Sequence, residues 1–352
     1  MNETIQLTPR QKAIVNILAE SNELSRKQIT EKLASIYPAS KATLARDIKL
    51  LINKKQVQVH GSGPNQVYRS TTSHPLLKNV DLDQYFRVEP DKRQNIKTSF
   101  NFDIFTNLQD LIPADEQQEL KIIFRSFSQT IKTLDSTIYE RELERFMVEL
   151  AWKSSKIEGN TYTLLETETL IKESQEAKGH PKAEALMILN HKDAFKTIIK
   201  HRNEFRKLSF DNISQLHNTL IKDLSISSGI RKHGVGITGT TYRPLDNEWQ
   251  IREALEQLVE LVNSTVHPLE KALITGSLLA YIQPFADGNK RTARMLSNAI
   301  LLSFDFFPLS YRSIDENEYK SALILFFETN NLYHVKRLFL DQYKFALRTY
   351  FI

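Results

Sequence analysis

From residue 101 to its end, this 352-residue chain repeats apolar positions at spacings of three and four. The segments 120–134, 140–156, 164–176, 183–201, 213–220, 250–263, 269–282, 290–303, 316–328 and 332–349 all carry the pattern. Each such helix has an apolar face that must be buried, so the sequence predicts a mainly α fold of packed helices. Glycine usage agrees: ten glycines leave little scope for tight turns, and four of them fall between Gly229 and Gly239. The chain has no cysteine, which excludes disulfides, iron–sulfur clusters, cysteine-ligated zinc and a thiol nucleophile. At about 150 residues per domain the length predicts two domains, or three. The longest apolar stretch, 272–282, is too short to span a bilayer. The opening MNETIQLTPR lacks a basic segment followed by an apolar one. The expected location is therefore cytoplasmic, with no membrane partner, and the N-x-S/T triplets at Asn2, Asn212 and Asn263 are read as chance matches.

Charge is uneven. Residues 1–70 hold 11 Lys/Arg against 5 Asp/Glu, a net of +6, which leaves −1 for the rest of a chain whose total is +5. A basic excess confined to one module is the footprint of a nucleic-acid partner, or else a solvated basic surface. Within this module a helix is predicted at 8–21, with Thr8 as cap, Pro9 at the first position, and Ile14, Ile17 and Leu18 inward. A second is capped by Ser25 and turns Ile29 and Leu33 inward. Ser40 caps a third that carries Leu44, Ile48, Leu51 and Ile52 on its inner face and Lys41, Thr43, Arg46 and Lys49 on its outer face. The alternating runs 56–60 and 66–70 flank Gly61-Ser62-Gly63-Pro64-Asn65, a hairpin with turn residues. Three helices and a hairpin resemble a winged helix-turn-helix over 1–70, in which Lys41, Thr43, Arg46 and Lys49 would face DNA. Such modules also dock proteins. Residues 71–100 read as a linker with one short helix.

One segment breaks the helical rule. Residues 231–245, RKHGVGITGTTYRPL, alternate β-branched residues with glycines and end in proline. This predicts a β-hairpin flap inserted in a helical domain, with a backbone edge able to pair with a bound chain; the alternative is a plain surface excursion.

The strongest signal is 283–294, QPFADGNKRTAR, between two apolar helices. Pro284 ends the first helix and Phe285 enters the core. Asp287 offers a hard oxygen ligand of the kind magnesium takes. Gly288 permits close backbone approach, and Asn289, Lys290, Arg291 and Thr292 open the next helix, whose free amides suit an anion. Arg291 and Arg294, three apart, share a helix face. A carboxylate, exposed amides and paired arginines describe a metal–polyphosphate site; the alternative is a capped helix start with solvated arginines.

PFADGNKRTAR resembles the signature of the Fic (Fido) family, H-P-F-x-[DE]-G-N-[GK]-R-x-x-[RK], at nearly every position but the first. The resemblance implies a Fic helical domain over 101–352 with a flap at 231–245 and a signature loop at 283–294. It also implies AMP transfer from ATP to a Ser, Thr or Tyr hydroxyl of a protein, on a target or on the chain itself. ATP and Mg²⁺ would be the cofactors, and the family often forms homodimers. By the same resemblance, Asp287 would hold Mg²⁺. Gly288, Asn289 and Lys290 would cradle phosphate through their amides and the Asn289 side chain. Arg291 would pair with the β-phosphate and Arg294 with the γ-phosphate, while Ile237 and Thr238 would clamp nucleotide and substrate strand. Ser154-Ser155-Lys156-Ile157-Glu158-Gly159 resembles the family's inhibitory motif [ST]-x-x-x-E-[GN], on a helix at 140–160. Its glutamate, Glu158, would occupy Arg294 in place of a phosphate and inhibit in cis.

The departure from the signature is Gln283, where the family has its general-base histidine. A neutral imidazole takes a proton near pH 7; a glutamine amide can only hydrogen-bond the hydroxyl. Loss of a general base costs about 10²–10⁴ in rate, while positioning and electrostatic contributions survive. Neither His217 nor His233 has a spacing that argues for a replacement. Three readings follow: a slow AMP transferase in which Gln283 only orients the acceptor, an inactive nucleotide-sensing regulator that binds DNA through 1–70, or a phosphate transfer whose acceptor needs no base.

Overall fold

The computed structural model describes residues 7–21, 23–34, 36–54, 56–70 and 74–351. The first N-x-S/T triplet, most of the opening read for a leader, and linker positions 71–73 lie outside the described residues. The chain divides into two compact units, 1–87 with 331–334, and 88–330 with 335–352.

In the first unit, α1 (Pro9–Glu20) starts where Thr8 and Gln11 form a reciprocal capping box. Strand β1 (Leu24–Ser25) leads into α2 (Arg26–Ala34), and α3 (Lys41–Asn53) is capped by the Ser40 hydroxyl. Strands β2 (Val57–His60) and β3 (Val67–Ser70) pair antiparallel with Val57 opposite Ser70, and β1 adds to β3, giving the order β1-β3-β2. Ile14, Leu18, Ile29, Leu33, Leu44, Ile48, Leu51 and Tyr68 form the core; Ile52, expected inward, is half-buried against it. Lys41, Arg46 and Lys49 are exposed, while Thr43 is half-buried with its hydroxyl 2.9 Å from that of Ser40. The short helix α4 (Leu82–Phe86) follows. The stretch read as a linker is tied down: Leu76 and Lys78 carbonyls accept from Leu332 N at 2.6 Å and Asn331 Nδ2 at 2.7 Å.

The second unit is built of ten helices among the described residues. They are α5 (Ala114–Thr133), α6 (Ser136–Ile157), α7 (Leu164–Glu173), α8 (Lys182–Lys200), α9 (Phe210–Leu220), α10 (Glu248–Ser264), α11 (Pro268–Ile282), α12 (Asn289–Ser303), α13 (Glu316–Thr329) and most of α14 (Tyr333–Thr349). Helices α11 and α12 are buried over nearly their whole length and form the centre. Their close approach is fixed at Gly276, where a Cβ would stand 2.6 Å from Ser297 Oγ.

The expected β-hairpin at 231–245 does not form. The described backbone there is irregular, with a turn at Thr238–Gly239 and a single parallel bridge, Arg243 with Ser99. Side-chain bonds take the place of a ladder. The Arg231 guanidinium donates to the carbonyls of Gln283 at 2.6 Å, His233 at 2.6 Å, and Leu245, closing the base of the loop. Glycines at 234, 236 and 239 favour this over a pleated strand.

Candidate active site

Helix α11 ends because Gln283 adopts a left-handed conformation, φ 52°, and α12 begins after Gly288 at φ 80°. A Cβ at Gly288 would press on Ile221 Cγ2 at 3.1 Å. The loop between the helices is braced from inside. Asn289 Oδ1 accepts from Phe285 N and Asn289 Nδ2 donates to Phe285 O, each at 2.8 Å. The Asn289 side chain thus braces the loop's own backbone, and the residue also lines the pocket described below. His217, stacked on Phe285 with ring centroids 3.6 Å apart, supports the loop from behind. Its Nε2 lies 2.9 Å from the Asp287 carbonyl, which can only accept, so Nε2 carries the hydrogen. Burial holds this imidazole below its ordinary pKa.

The first intrahelical bond of α12 runs from Thr292 N to Gly288 O, so the amides of Asn289, Lys290 and Arg291 precede it, and no side chain caps the helix. They open on a pocket of about 480 Å³. Gln283, Asp287, Gly288, Asn289, Lys290 and Arg291 line one side, Ile237 and Thr238 another, and Glu158 and Gly159 a third. Lys320, Leu323, Ile324 and Phe327, one face of α13, complete it. Asp287 is 70% exposed at its side chain; its Oδ1 accepts from Gly288 N at 2.6 Å, and its Oδ2 lies 3.4 Å from Arg291 Nη2.

Arg294 does not line this pocket. It is 1% exposed, and Glu158, which does line it, meets Arg294 Nη2 at 2.9 Å. Arg294 Nε donates to Ser154 Oγ at 3.0 Å and Nη2 to Ser154 O at 2.8 Å. The Ser154 hydroxyl is 2.9 Å from His191 Nε2, and His191 Nδ1 is 2.8 Å from the Met187 carbonyl. Since Nδ1 must donate to that carbonyl, Nε2 accepts from Ser154, and the chain of donors runs from Arg294 to Met187. Burial pushes the His191 imidazole down to about 3, which keeps it neutral. Burial raises the Glu158 carboxyl, but Arg294, Lys290 and Arg291 outweigh it and hold Glu158 below the ordinary carboxylate range. Burial lowers Arg294, but Glu158 with the tyrosines Tyr319 and Tyr311 outweighs it and holds Arg294 above its ordinary value, so each partner favours the charged form of the other.

Gln283 is buried at the pocket's edge. Its side-chain nitrogen donates to Ala280 O at 2.6 Å and its main-chain carbonyl accepts from Arg231. His233, with an exposed ring, does not line the pocket among the described residues, nor does His217.

Residues 207–301 match the model of the Fic/DOC family. This stretch carries the signature loop and is similar to that family. A protein adenylyltransferase Fic of Nematostella vectensis is 28% identical over 191 residues, 52% of this chain and 44% of the relative. Protein adenylyltransferase fic-1 of Caenorhabditis elegans is 25% identical over 194 residues, 53% of this chain and 38% of the relative. The chain thus spans less than half the length of these curated relatives. Among solved structures, Fic-1 (residues 134–508) from C. elegans superposes with a TM-score of 0.58 at 22% identity, over 68% of this chain and 72% of that one. A Fic domain containing signalling protein from Bacteroides thetaiotaomicron gives 0.56 at 19%, over 65% and 94%. At these identities the likeness is one of fold. The second unit also uses residues that motif reading missed. Arg231 precedes the glycine-rich run without a motif to mark it, and the α13 face at 320–327 reads in sequence only as core.

Proposed function

We propose that the pocket binds ATP with Mg²⁺ for transfer of AMP to a protein hydroxyl, and that Glu158 holds it inhibited in cis. The carrying observation is the 2.9 Å ion pair of Glu158 with Arg294 beside the loop of the Fic domain. A carboxylate that satisfies a buried arginine competes with a phosphate for it. The residues present fit the cofactors. The amides of residues 289–291 and the Lys290 and Arg291 side chains would take the α- and β-phosphates. Ile237, Leu323, Ile324 and Phe327 offer an apolar wall for a flat base. Asp287, an exposed carboxylate beside the free amides, would hold Mg²⁺ in the way that ion is commonly carried, by one or two carboxylates with phosphate and water. When bound, the ion neutralises phosphate charge. Gln283 would orient the acceptor hydroxyl without taking its proton.

A second reading has its own support. The Gln283 amide nitrogen is engaged by Ala280 O, and no imidazole lines the pocket among the described residues. The chain would then be a nucleotide-sensing regulator whose residues 1–70, read as a winged helix, bind DNA through Lys41, Arg46 and Lys49 with Thr43 at the helix start. Titration calorimetry with ATP and Mg²⁺ tests the shared core of both readings. Binding is expected to tighten at least about tenfold in Glu158→Gly; equal affinity of the two proteins would remove the inhibitory role.

A further inference from the structure

The 231–245 loop is fastened at its turn as well as at its base. Arg93 Nη1 donates to Gly239 O at 3.1 Å, and Thr240 Oγ1 donates to Glu328 Oε1 at 2.6 Å. Arg93 and Glu328 are themselves an ion pair, with Nη1 2.9 Å and 3.1 Å from the two carboxylate oxygens and side chains 6% and 0% exposed. Glu328 follows Phe327, which lines the pocket from α13. The backbone joins the same elements: Lys97 N donates to Glu328 O at 2.6 Å, and Arg243 N to Thr98 O at 2.9 Å. Between the fastenings, Val235, Gly236, Ile237 and Thr238 line the pocket and make no hydrogen bond to another element among the described residues. A run containing Gly234, Gly236 and Gly239 has little stiffness of its own, so its order must come from its anchors.

We infer that Arg93 and Glu328 are positioning residues, a buried ion pair that sets where Ile237 and Thr238 stand over the pocket. The inference rests on the reading of that pocket as a nucleotide site. The pair suits the task physically. A carboxylate this buried needs hydrogen-bond donors, and they reach it from the strap 88–100 and from beside the loop's turn. Loosening either donor releases the turn. The strap thereby has a role that its low periodicity hides, since Arg93 and Glu328 lie 235 positions apart.

The test uses the full chain with Thr240→Val, Arg93→Lys and Arg93→Met. Thr240→Val leaves the ion pair and removes one hydroxyl, which donates to Glu328 and also accepts from Tyr242 N at 3.0 Å, so it provides a test even if Arg93→Met fails to fold. Hydrogen exchange is read at the Arg243 and Lys97 amides. Exchange there is expected to rise about tenfold in Thr240→Val and further in Arg93→Met, with Arg93→Lys between native and Arg93→Met and the amides of α11 and α12 unchanged. Unchanged exchange in Thr240→Val, an equal rise throughout the chain, or Arg93→Lys matching Arg93→Met would overturn the inference. ATP–Mg²⁺ affinity supplies the coupling. Ile237→Ala is expected to weaken binding severalfold in the native chain and to have little further effect in Arg93→Met; full additivity would contradict positioning. If the native chain binds no ATP, the nucleotide reading falls, while the exchange experiment still decides the clamp.

Discussion

Glu158 and Arg294 form an ion pair at 2.9 Å in which the guanidinium is fully buried and the carboxylate remains 20% exposed at its side chain, on the pocket wall. Lys290 and Arg291 add to the field on Glu158, and Arg291 also has Asp287 at 3.4 Å. Glu158→Gln keeps the shape and removes the charge. It is expected to lower the melting temperature by several degrees without nucleotide, because a buried arginine loses its partner. ATP with Mg²⁺ should restore most of that loss in the variant by binding the folded state. Thermal scans with and without ATP check this, and a loss that ATP leaves untouched would separate Arg294 from phosphate binding.

Asn289 gives a sharper loop test. Its amide bonds both polar groups of the Phe285 backbone, so Asn289→Ala should destabilise the chain by about 2–4 kcal/mol and abolish ATP binding as the loop opens. Asn289→Asp retains the acceptor for Phe285 N but sets a carboxylate against Phe285 O, and should be nearly as damaging. Denaturant unfolding of the two variants measures both effects; a stable Asn289→Asp that binds ATP normally would refute the bracing role.

How much of this was legible in the sequence depends on range. The helices are periodic, and their observed limits fall close to the apolar pattern, with caps moving the ends: α9 begins at Phe210 because Ser209 caps it, ahead of the first inward residue Ile213. Glu158 and Arg294 were readable as partners only through their motifs. The 231–245 run shows strand-like alternation at Val235 and Ile237, but a ladder needs a partner strand, and Arg231 supplies side-chain bonds in its place. The bracing by Asn289 was not legible, because a polar residue at a helix start suits an anion as well as it suits its own loop. Arg93 and Glu328 carry no local pattern at all.

His191 makes the chain sensitive to mild acid. Its pKa is pushed down to about 3 in the folded protein, against about 6.5 in an unfolded chain. Between those values the unfolded state binds a proton that the folded state does not. Stability conferred by the neutral ring is therefore complete above about pH 6.5 and falls as pH drops, by about 1.4 kcal/mol per unit at most. His191→Gln should flatten the slope of stability against pH over this window. Denaturant midpoints from pH 7 to pH 4.5 would show it; an unchanged slope would mean that His191 is protonated in the fold.

The basic module offers a separate expectation. Lys41, Arg46 and Lys49 are exposed on α3, and their replacement by alanine should weaken binding to duplex DNA. The salt dependence should become shallower by about one unit of slope for each phosphate that is no longer neutralised. Fluorescence anisotropy at several salt concentrations measures both. Native affinity and slope in the triple variant would exclude this face of α3 as a DNA surface.

The most direct measurement is intact mass after incubation with ATP and Mg²⁺, for the native chain, Glu158→Gly, Gln283→His and the double variant. An AMP adduct is expected in the double variant, with Glu158→Gly alone slower by about 10²–10⁴ and the native chain unlabelled. No adduct in the double variant, on itself or on added protein, would contradict a Glu158-inhibited AMP-transfer site.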